Sequence, residues 1–439
     1  MKTFSTPRLY GFNIRRRERG ITLIFVVVAI FALLGVAALA IDLVTLYVSK
    51  AEAQRVSDAA ALAGAKALVD NAVTADPSNN QSNWATACDQ ATAIANAVAN
   101  QGTIGGSQPA ALAITFGSGG AFGACPNNGS PGTGFGVNPQ VSVTLRSTNL
   151  PLFFAKIWGQ RTSTVSATSQ AEGFNPSGTN IPVAAKCVTP WLIANNDTVH
   201  AKRIMQTSNG RIRNPGPAPA GIIGEPLKLV TGCKNPGNCA VLKPPSKISG
   251  ELGYYPIDLG TPAASGPSCS TGGFTNYMNN IVTCNPTPIA CGSTVTLDAT
   301  TYPEGTPNIQ ALECLTNAST TGAGNGQDTV NTATFPPTIA AGSSHPLVTS
   351  GAINTGDLVS GSRSVVTIPI YDSGSSGNPT APTSTVQVIG FMQAFVEFVD
   401  GAGQPNIKVL NISGCKLPVT GTPVGTNATS SVPVRLIHK

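Results

Sequence analysis

Residues 21–48, ITLIFVVVAIFALLGVAALAIDLVTLYV, are almost wholly apolar and follow directly on the basic cluster Arg15, Arg16, Arg17 and Arg19. Few soluble folds can accommodate such a run. Ile21 to Ile41 carries no charge, and as one helix at about 1.5 Å per residue it spans roughly 31 Å, the thickness of a bilayer's hydrocarbon core. Basic residues accumulate on the cytoplasmic side of such spans. The arginines are therefore read as a topology signal that keeps the N-terminus inside and places everything after Tyr47 outside.

Ala38-Leu39-Ala40 has the small-x-small form that a signal peptidase can use, so a cleaved leader is the rival reading. Length favours an anchor, because the apolar region of a signal peptide runs about 7–15 residues. Here the run reaches Ala40 and resumes after Asp42 with Leu43, Val44, Leu46, Tyr47 and Val48. A carboxylate in a membrane is expensive and often functional. The simpler expectation is that Asp42 sits at the outer interface, solvated by water.

The whole chain of 439 residues carries a formal charge of +6, yet residues 1–20 hold six basic residues and one acid, leaving only +1 for the other 419. That excludes the basic footprint of a nucleic-acid binder. Charged residues make up 10%, and Gly 47 with Pro 34 approach a fifth of the chain, which implies turns and β-structure. Ten cysteines form an even set. In an exported, oxidising location disulfides are the expected state. Zinc is the competing reading, but no Cys-x-x-Cys occurs and His200, His345 and His438 lie far apart, whereas zinc sites use close ligand spacings. Cys233 with Cys239 and Cys284 with Cys291 are candidate local pairs; connectivity as a whole is not readable from spacing.

The expected fold class is α+β: a single N-terminal transmembrane helix extended into a long helix, then a β-rich, disulfide-containing ectodomain. The expected divisions are a basic cytoplasmic segment over 1–20, the span over 21–48, an Ala-rich helical region over 49–100, a strand–helix–strand region over 101–172 and a β-rich, loop-heavy exported domain over 173–439. SKAEAQRVSDAAALAGAKALVD, residues 49–70, has no Pro and strong helix formers throughout, so span and extension form one rod of about 50 residues. The small-residue face of Asp58, Ala59, Ala60, Ala61, Ala63 and Ala65 suits close packing against a partner rod or against the protein's own ectodomain. A second helix is expected over 82–100, with Ala85, Cys88, Ala91, Ala95 and Val98 along one face.

Val141, Val143 and Leu145 alternate as a half-buried strand, and so do Val165, Ala167, Ser169 and Ala171. Between them, NLPLFFAKIWG reads as a helix with Asn149 as N-cap and Gly159 as stop, its stripe of Leu150, Phe153, Phe154, Ile157 and Trp158 facing a core. Further strands are expected at 181–185, 190–194, 364–371, 385–399, 407–412 and 432–437. The 385–399 segment is apolar on both faces and should sit centrally in its sheet.

The search for catalysis finds no Gly-x-Ser-x-Gly, His-Glu-x-x-His, Walker or Ca²⁺-loop pattern. The glycine clusters 132–136 and 322–326 lack dinucleotide-binding spacing and read as loops. Asp372-Ser373-Gly374-Ser375-Ser376 follows an apolar strand, as an adhesion site of the von Willebrand A type would, but Gly374 stands where the first required Ser belongs; a β-turn is the better account. His200 has no obvious acidic partner in sequence and reads as a surface residue. No cofactor, metal site or enzymatic activity is expected.

The segment from Arg17 to Leu68 resembles the N-terminal module of the TadG-like proteins of the Tad (Flp) pilus assembly system. The matching residues are Arg19-Gly20, Ala40-Ile41-Asp42, Tyr47, Gln54 and Asp58-Ala59-Ala60-Ala61-Leu62-Ala63. Leu152-Phe153-Phe154-Ala155 and Val165-Ser166-Ala167-Thr168 are similar to a segment that often follows. Prepilin peptidase substrates carry Glu five residues after the cleaved Gly; counted from Gly20 that place is Phe25. The resemblance implies a bacterial inner-membrane protein, N-terminus cytoplasmic and C-terminal domain periplasmic or extracellular, that serves the assembly or anchoring of Flp pili through other pilus-assembly or envelope proteins. The alternative is an exported adhesin or structural surface protein unrelated to pili.

Overall fold

The computed structural model describes residues 19–75, 84–118, 121–124, 138–177, 179–262, 269, 273–334, 337–374, 378–426 and 430–437. Arg15, Arg16, Arg17, Cys125, Ser375, Ser376, His438 and the 132–136 glycine cluster lie outside them. The described residues fall into two compact units, the first drawn from Met1–Val56, Asn100–Ala111 and Leu145–Ala167, the second from Ser57–Ala99, Leu112–Thr144 and Thr168–Lys439.

Helix α1 runs unbroken over Arg19–Asp70, 52 residues. No Pro interrupts it, and glycine occurs inside it only at Gly35 and Gly64 after the opening turn. Its residues up to Val56 belong to the first unit. There the segment after α2 (Trp84–Gln101) is pinned to the helix: the Gly105 N–H donates to Glu52 Oε2 at 2.8 Å. The ends of strands β3 (Gln140–Pro151) and β4 (Thr162–Gly173) complete this unit.

In the second unit, residues 57–70 of α1 bury Ala60, Ala61, Ala65, Ala67, Leu68 and Val69. Helix α2 buries Trp84, Ala87, Cys88, Ala91, Ala95 and Ala99, a stripe that shares Cys88, Ala91 and Ala95 with the expected one and ends on Ala99 in place of Val98. Gly64 stands where α1 meets both β3 and α2. A Cβ there would stand 3.2 Å from Val141 and 3.5 Å from Ala95. Strands β1 (Ala111–Ser118) and β2 (Ala121–Gly123) extend the β3–β4 pair on one side, and β12 (Val434–Ile437) borders β4 on the other, giving the order β12-β4-β3-β1-β2.

The rest of the second unit folds around a closed ring of six strands. Strand β5 (Val183–Ala185) lies outside it. The ring comprises β6 (Trp191–Ala194), β7 (Pro226–Thr231), β8 (Glu251–Pro256), β9 (Val365–Tyr371), β10 (Thr385–Val399) and β11 (Pro405–Gly414). The order is β10-β9-β6-β8-β7-β11, and β11 pairs again with β10. The β6–β9 and β7–β8 pairs are parallel and the rest antiparallel. Closure removes the free edges that an open sheet exposes. β10, apolar on both faces, is paired on both sides, as every strand of a closed ring is. Both faces of β6 are buried: Trp191 and Ile193 lie in one apolar core, Leu192 and Ala194 in another. Helices α3 (Asn276–Val282) and α4 (Thr306–Thr316) cover the first core through Tyr277, Ile281, Leu312 and Leu315.

Among the described residues four disulfides link Cys187–Cys284, Cys233–Cys239, Cys269–Cys314 and Cys291–Cys415. Cys88 is disulfide-bonded as well. The expected Cys284–Cys291 pair is corrected: strand pairing carries the two thiols to different neighbours. Cys187 N–H donates to Asn285 O at 3.0 Å, which sets Cys284 beside Cys187, while Gly292 N–H donates to Val388 O at 2.8 Å and Cys415 N–H to Ile389 O at 3.0 Å.

Candidate functional site

In the first unit α1 presents an apolar surface with nothing folded over most of it. From Ile21 (58% exposed) to Tyr47 (76%), almost every large apolar side chain faces outward. In water this would be prohibitive, since each such side chain gains roughly 1.5–3 kcal/mol by leaving it. The helix is long and apolar enough to cross a membrane, which is the form of a single-pass anchor.

Asp42 interrupts that surface, and it is not solvated as expected: it is 3% exposed. Oδ1 accepts the backbone N–H of Phe153 at 2.8 Å, and Oδ2 accepts those of Phe154 at 3.0 Å and Ala155 at 2.7 Å. These N–H groups open the single 3₁₀ turn Ala155–Trp158, the short remnant of the helix expected over this segment. A helix start leaves N–H groups without intrahelical partners. Here the acceptor is a carboxylate from α1, whereas the expected local cap, Asn149, lies within β3 at φ 63°. Gly159 does stop the turn, in the left-handed conformation at φ 85°. One turn is too short to carry an apolar stripe. Leu150 is buried, but Phe153 is 58% and Phe154 36% exposed, so the reading of the stripe as core is corrected at these two residues; the side chains of Ile157 and Trp158 lie outside the described ones.

Of the helix face expected to meet a partner, the chain itself covers much. Ala60, Ala61 and Ala65 are fully buried within the second unit, Ala63 is half-buried and Ala59 is exposed. Asp58 accepts a hydrogen bond from the Ser169 hydroxyl on β4, and Ser169 also meets Ser57. The Arg19 backbone begins α1.

Residues 20–67 match the family model described as putative Flp pilus-assembly TadE/G-like. This stretch is similar to a TadE/G-like module. It covers the exposed apolar run, Asp42 and the Asp58 segment, and it links the chain to Flp/Tad pilus systems. Comparison with curated proteins and with solved structures gave no match.

Two further clusters bear on chemistry. At the suspected adhesion motif, Asp372 Oδ1 accepts the Gly374 N–H at 3.0 Å and lies 3.7 Å from Arg203. That is an aspartate turn held by an arginine. His200 was read as lacking an acidic partner, and this too is corrected. Its Nδ1 lies 2.8 Å from Asp197 Oδ2 and 3.9 Å from Glu225 Oε1. Both carboxylates are buried, and the three residues could hold a metal ion. Burial, with the Asp197 charge beside it, pushes the Glu225 carboxyl up to about 7. A hydrogen bond to Pro219 O raises His200, burial opposes it, and Asp197 adds to the rise. Sequence held a partial signal, since Asp197 precedes His200 by three residues. Glu225 is brought in only by the pairing of the ring strands.

Proposed function

We propose that this protein is a bitopic component of a bacterial envelope that serves assembly or anchoring of Flp-type pili by binding, without an enzymatic step. Its N-terminus lies in the cytoplasm, α1 crosses the inner membrane, and the disulfide-linked β-rich part is presented on the far side to other pilus-assembly or envelope proteins. The observation that carries this reading is the coincidence of the TadE/G-like match over residues 20–67 with the apolar surface of α1. The disulfides agree with an oxidising compartment. Contact of the helix with a partner falls to Ala59 and Ala63, because Ala60, Ala61 and Ala65 are already buried against the chain's own residues.

The test is deletion of the gene in its host, with surface pili counted by electron microscopy. Pili should be lost or detached, and return with the full chain but not with a form whose residues 21–48 are replaced by a cleavable leader. Protease added to spheroplasts should digest the ectodomain. Unchanged piliation, with ectodomain shed at the surface, would replace this reading by that of an unrelated adhesin.

A further inference from the structure

Asp197, His200 and Glu225 converge without enough hydrogen-bond donors among them. Asp197 is held in place by its backbone: its N–H donates to Lys202 O at 2.6 Å, and Lys202 N–H returns the bond at 3.0 Å. Its Oδ1 accepts the His200 backbone N–H at 3.0 Å, and Oδ2 accepts Asn214 Nδ2 at 3.2 Å. Glu225 directly precedes β7 and is locked by two backbone bonds, its N–H to Ile222 O at 3.2 Å and Val409 N–H to its carbonyl at 3.2 Å. Neither carboxylate oxygen of Glu225 accepts a hydrogen bond among the described residues, although the residue is only 3% exposed. A buried carboxylate left this way is costly, and it asks for a specific explanation.

The imidazole narrows that explanation. His200 Nε2 lies 3.0 Å from Pro219 O, and a carbonyl can only accept, so Nε2 carries the hydrogen. In the neutral ring Nδ1 is then a lone pair directed at two carboxylates. Protonating Nδ1 satisfies Asp197 at 2.8 Å but leaves Glu225, at 3.9 Å, without a hydrogen bond. A divalent cation satisfies all three at once.

We infer that Asp197, His200 and Glu225 form a binding site for one divalent transition-metal ion of the zinc class, ligated through Asp197 Oδ2, His200 Nδ1 and a Glu225 oxygen. The three ligand atoms lie within 4.8 Å of one another. The separations from Nδ1, 2.8 and 3.9 Å, bracket the roughly 3.3 Å between ligands of a tetrahedral ion with bonds of about 2.0–2.1 Å. A ligating histidine that donates its other ring N–H to a backbone carbonyl is the usual outer-sphere arrangement, because it fixes the tautomer. The Pro219 contact supplies it. A nitrogen ligand beside two carboxylates suits zinc and its neighbours better than Ca²⁺ or Mg²⁺, which favour all-oxygen sites. The ion would tie the 197–202 loop, which follows β6, to the start of β7. The three residues lie outside residues 20–67 in the sequence, and the proposal does not depend on how the chain is anchored.

The test uses the full chain in detergent, stripped with chelator and titrated with Zn²⁺ alone. One Zn²⁺ per chain is expected, with a higher thermal midpoint on binding, and at least tenfold weaker binding in both Glu225→Gln and His200→Gln. With the described cysteines in disulfides, their thiols offer no competing site; oxidation of the whole chain is checked by thiol titration. Glu225→Gln removes a buried charge, so its metal-free midpoint should equal or exceed that of the metal-free wild type, which separates lost ligation from lost folding. Failure of the folded wild type to take up stoichiometric Zn²⁺, or undiminished binding in either variant, would overturn the proposal.

Discussion

The Asp42 carboxylate accepts the backbone N–H of Phe154 at 3.0 Å, across 112 positions of sequence. With the Phe153 and Ala155 bonds it makes one side chain of α1 the cap of a distant aromatic turn. Charge-assisted hydrogen bonds of this kind are among the stronger ones available to a buried group. The residue that interrupts the apolar run therefore has a structural task near the C-terminal end of that run.

Replacing Asp42 by Ala should release that turn while leaving α1 helical. In lipid nanodiscs, amide exchange at residues 153–155 should accelerate by about tenfold or more, with Asp42→Asn intermediate because one acceptor oxygen remains. Equal exchange in wild type and Asp42→Ala would remove the cap from the account.

Gly64 sets the approach of α1 to Val141 and Ala95. Gly64→Leu should destabilise the second unit by about 1–3 kcal/mol through overpacking, despite the better helix propensity of Leu. Ala59→Leu, at an exposed position, should stay within about 0.5 kcal/mol of wild type. Thermal melts of the two variants decide the matter, and the reverse ranking would refute the packing.

A peptide map under non-reducing conditions should recover Cys187 linked to Cys284 and Cys291 linked to Cys415. Removing the 291–415 bridge, which spans 124 residues, should cost about 2–5 kcal/mol. The 233–239 bridge spans 6 and should cost less, because a short loop retains little entropy to lose. A peptide joining Cys284 to Cys291 would contradict the strand pairing.

Asp298 should make stability depend on acid. Burial raises its carboxyl, but hydrogen bonds from Thr300 and Thr301 outweigh this and hold it below the ordinary 3.8. They comprise the Thr300 N–H at 2.8 Å, its hydroxyl at 2.6 Å and the Thr301 N–H at 3.2 Å. A group depressed in the folded state stabilises fully above its unfolded value, and the contribution is lost as pH falls through the folded one. Asp298→Asn should thus melt below wild type at pH 7, with the gap closing below about pH 4. A gap that is constant with pH would show that the charge has no part in it.

Local patterns carried far in this chain. The uninterrupted helix formers of residues 19–70 gave the 52-residue α1, two-residue alternation located β3 and β4, and the strands expected at 364–371, 385–399 and 407–412 fall on β9, β10 and β11. The Pro226–Thr231 and Glu251–Pro256 strands went unread. Lys228, Gly253 and their flanking prolines weaken the local β signal, and the ring supplies the partners that make these segments strands.

The amino-acid sequence by itself determined the anchor, its length and the helical extension, because hydrophobicity and helix propensity act between near neighbours and need no knowledge of the rest of the chain. Only the tertiary structure decided that Asp42 caps a turn 111 to 113 residues away, that Cys284 meets Cys187, and that Glu225 stands beside His200. Each of these depends on which strands pair and in what register. That choice is made by burial of the whole core, which no local stretch of sequence contains.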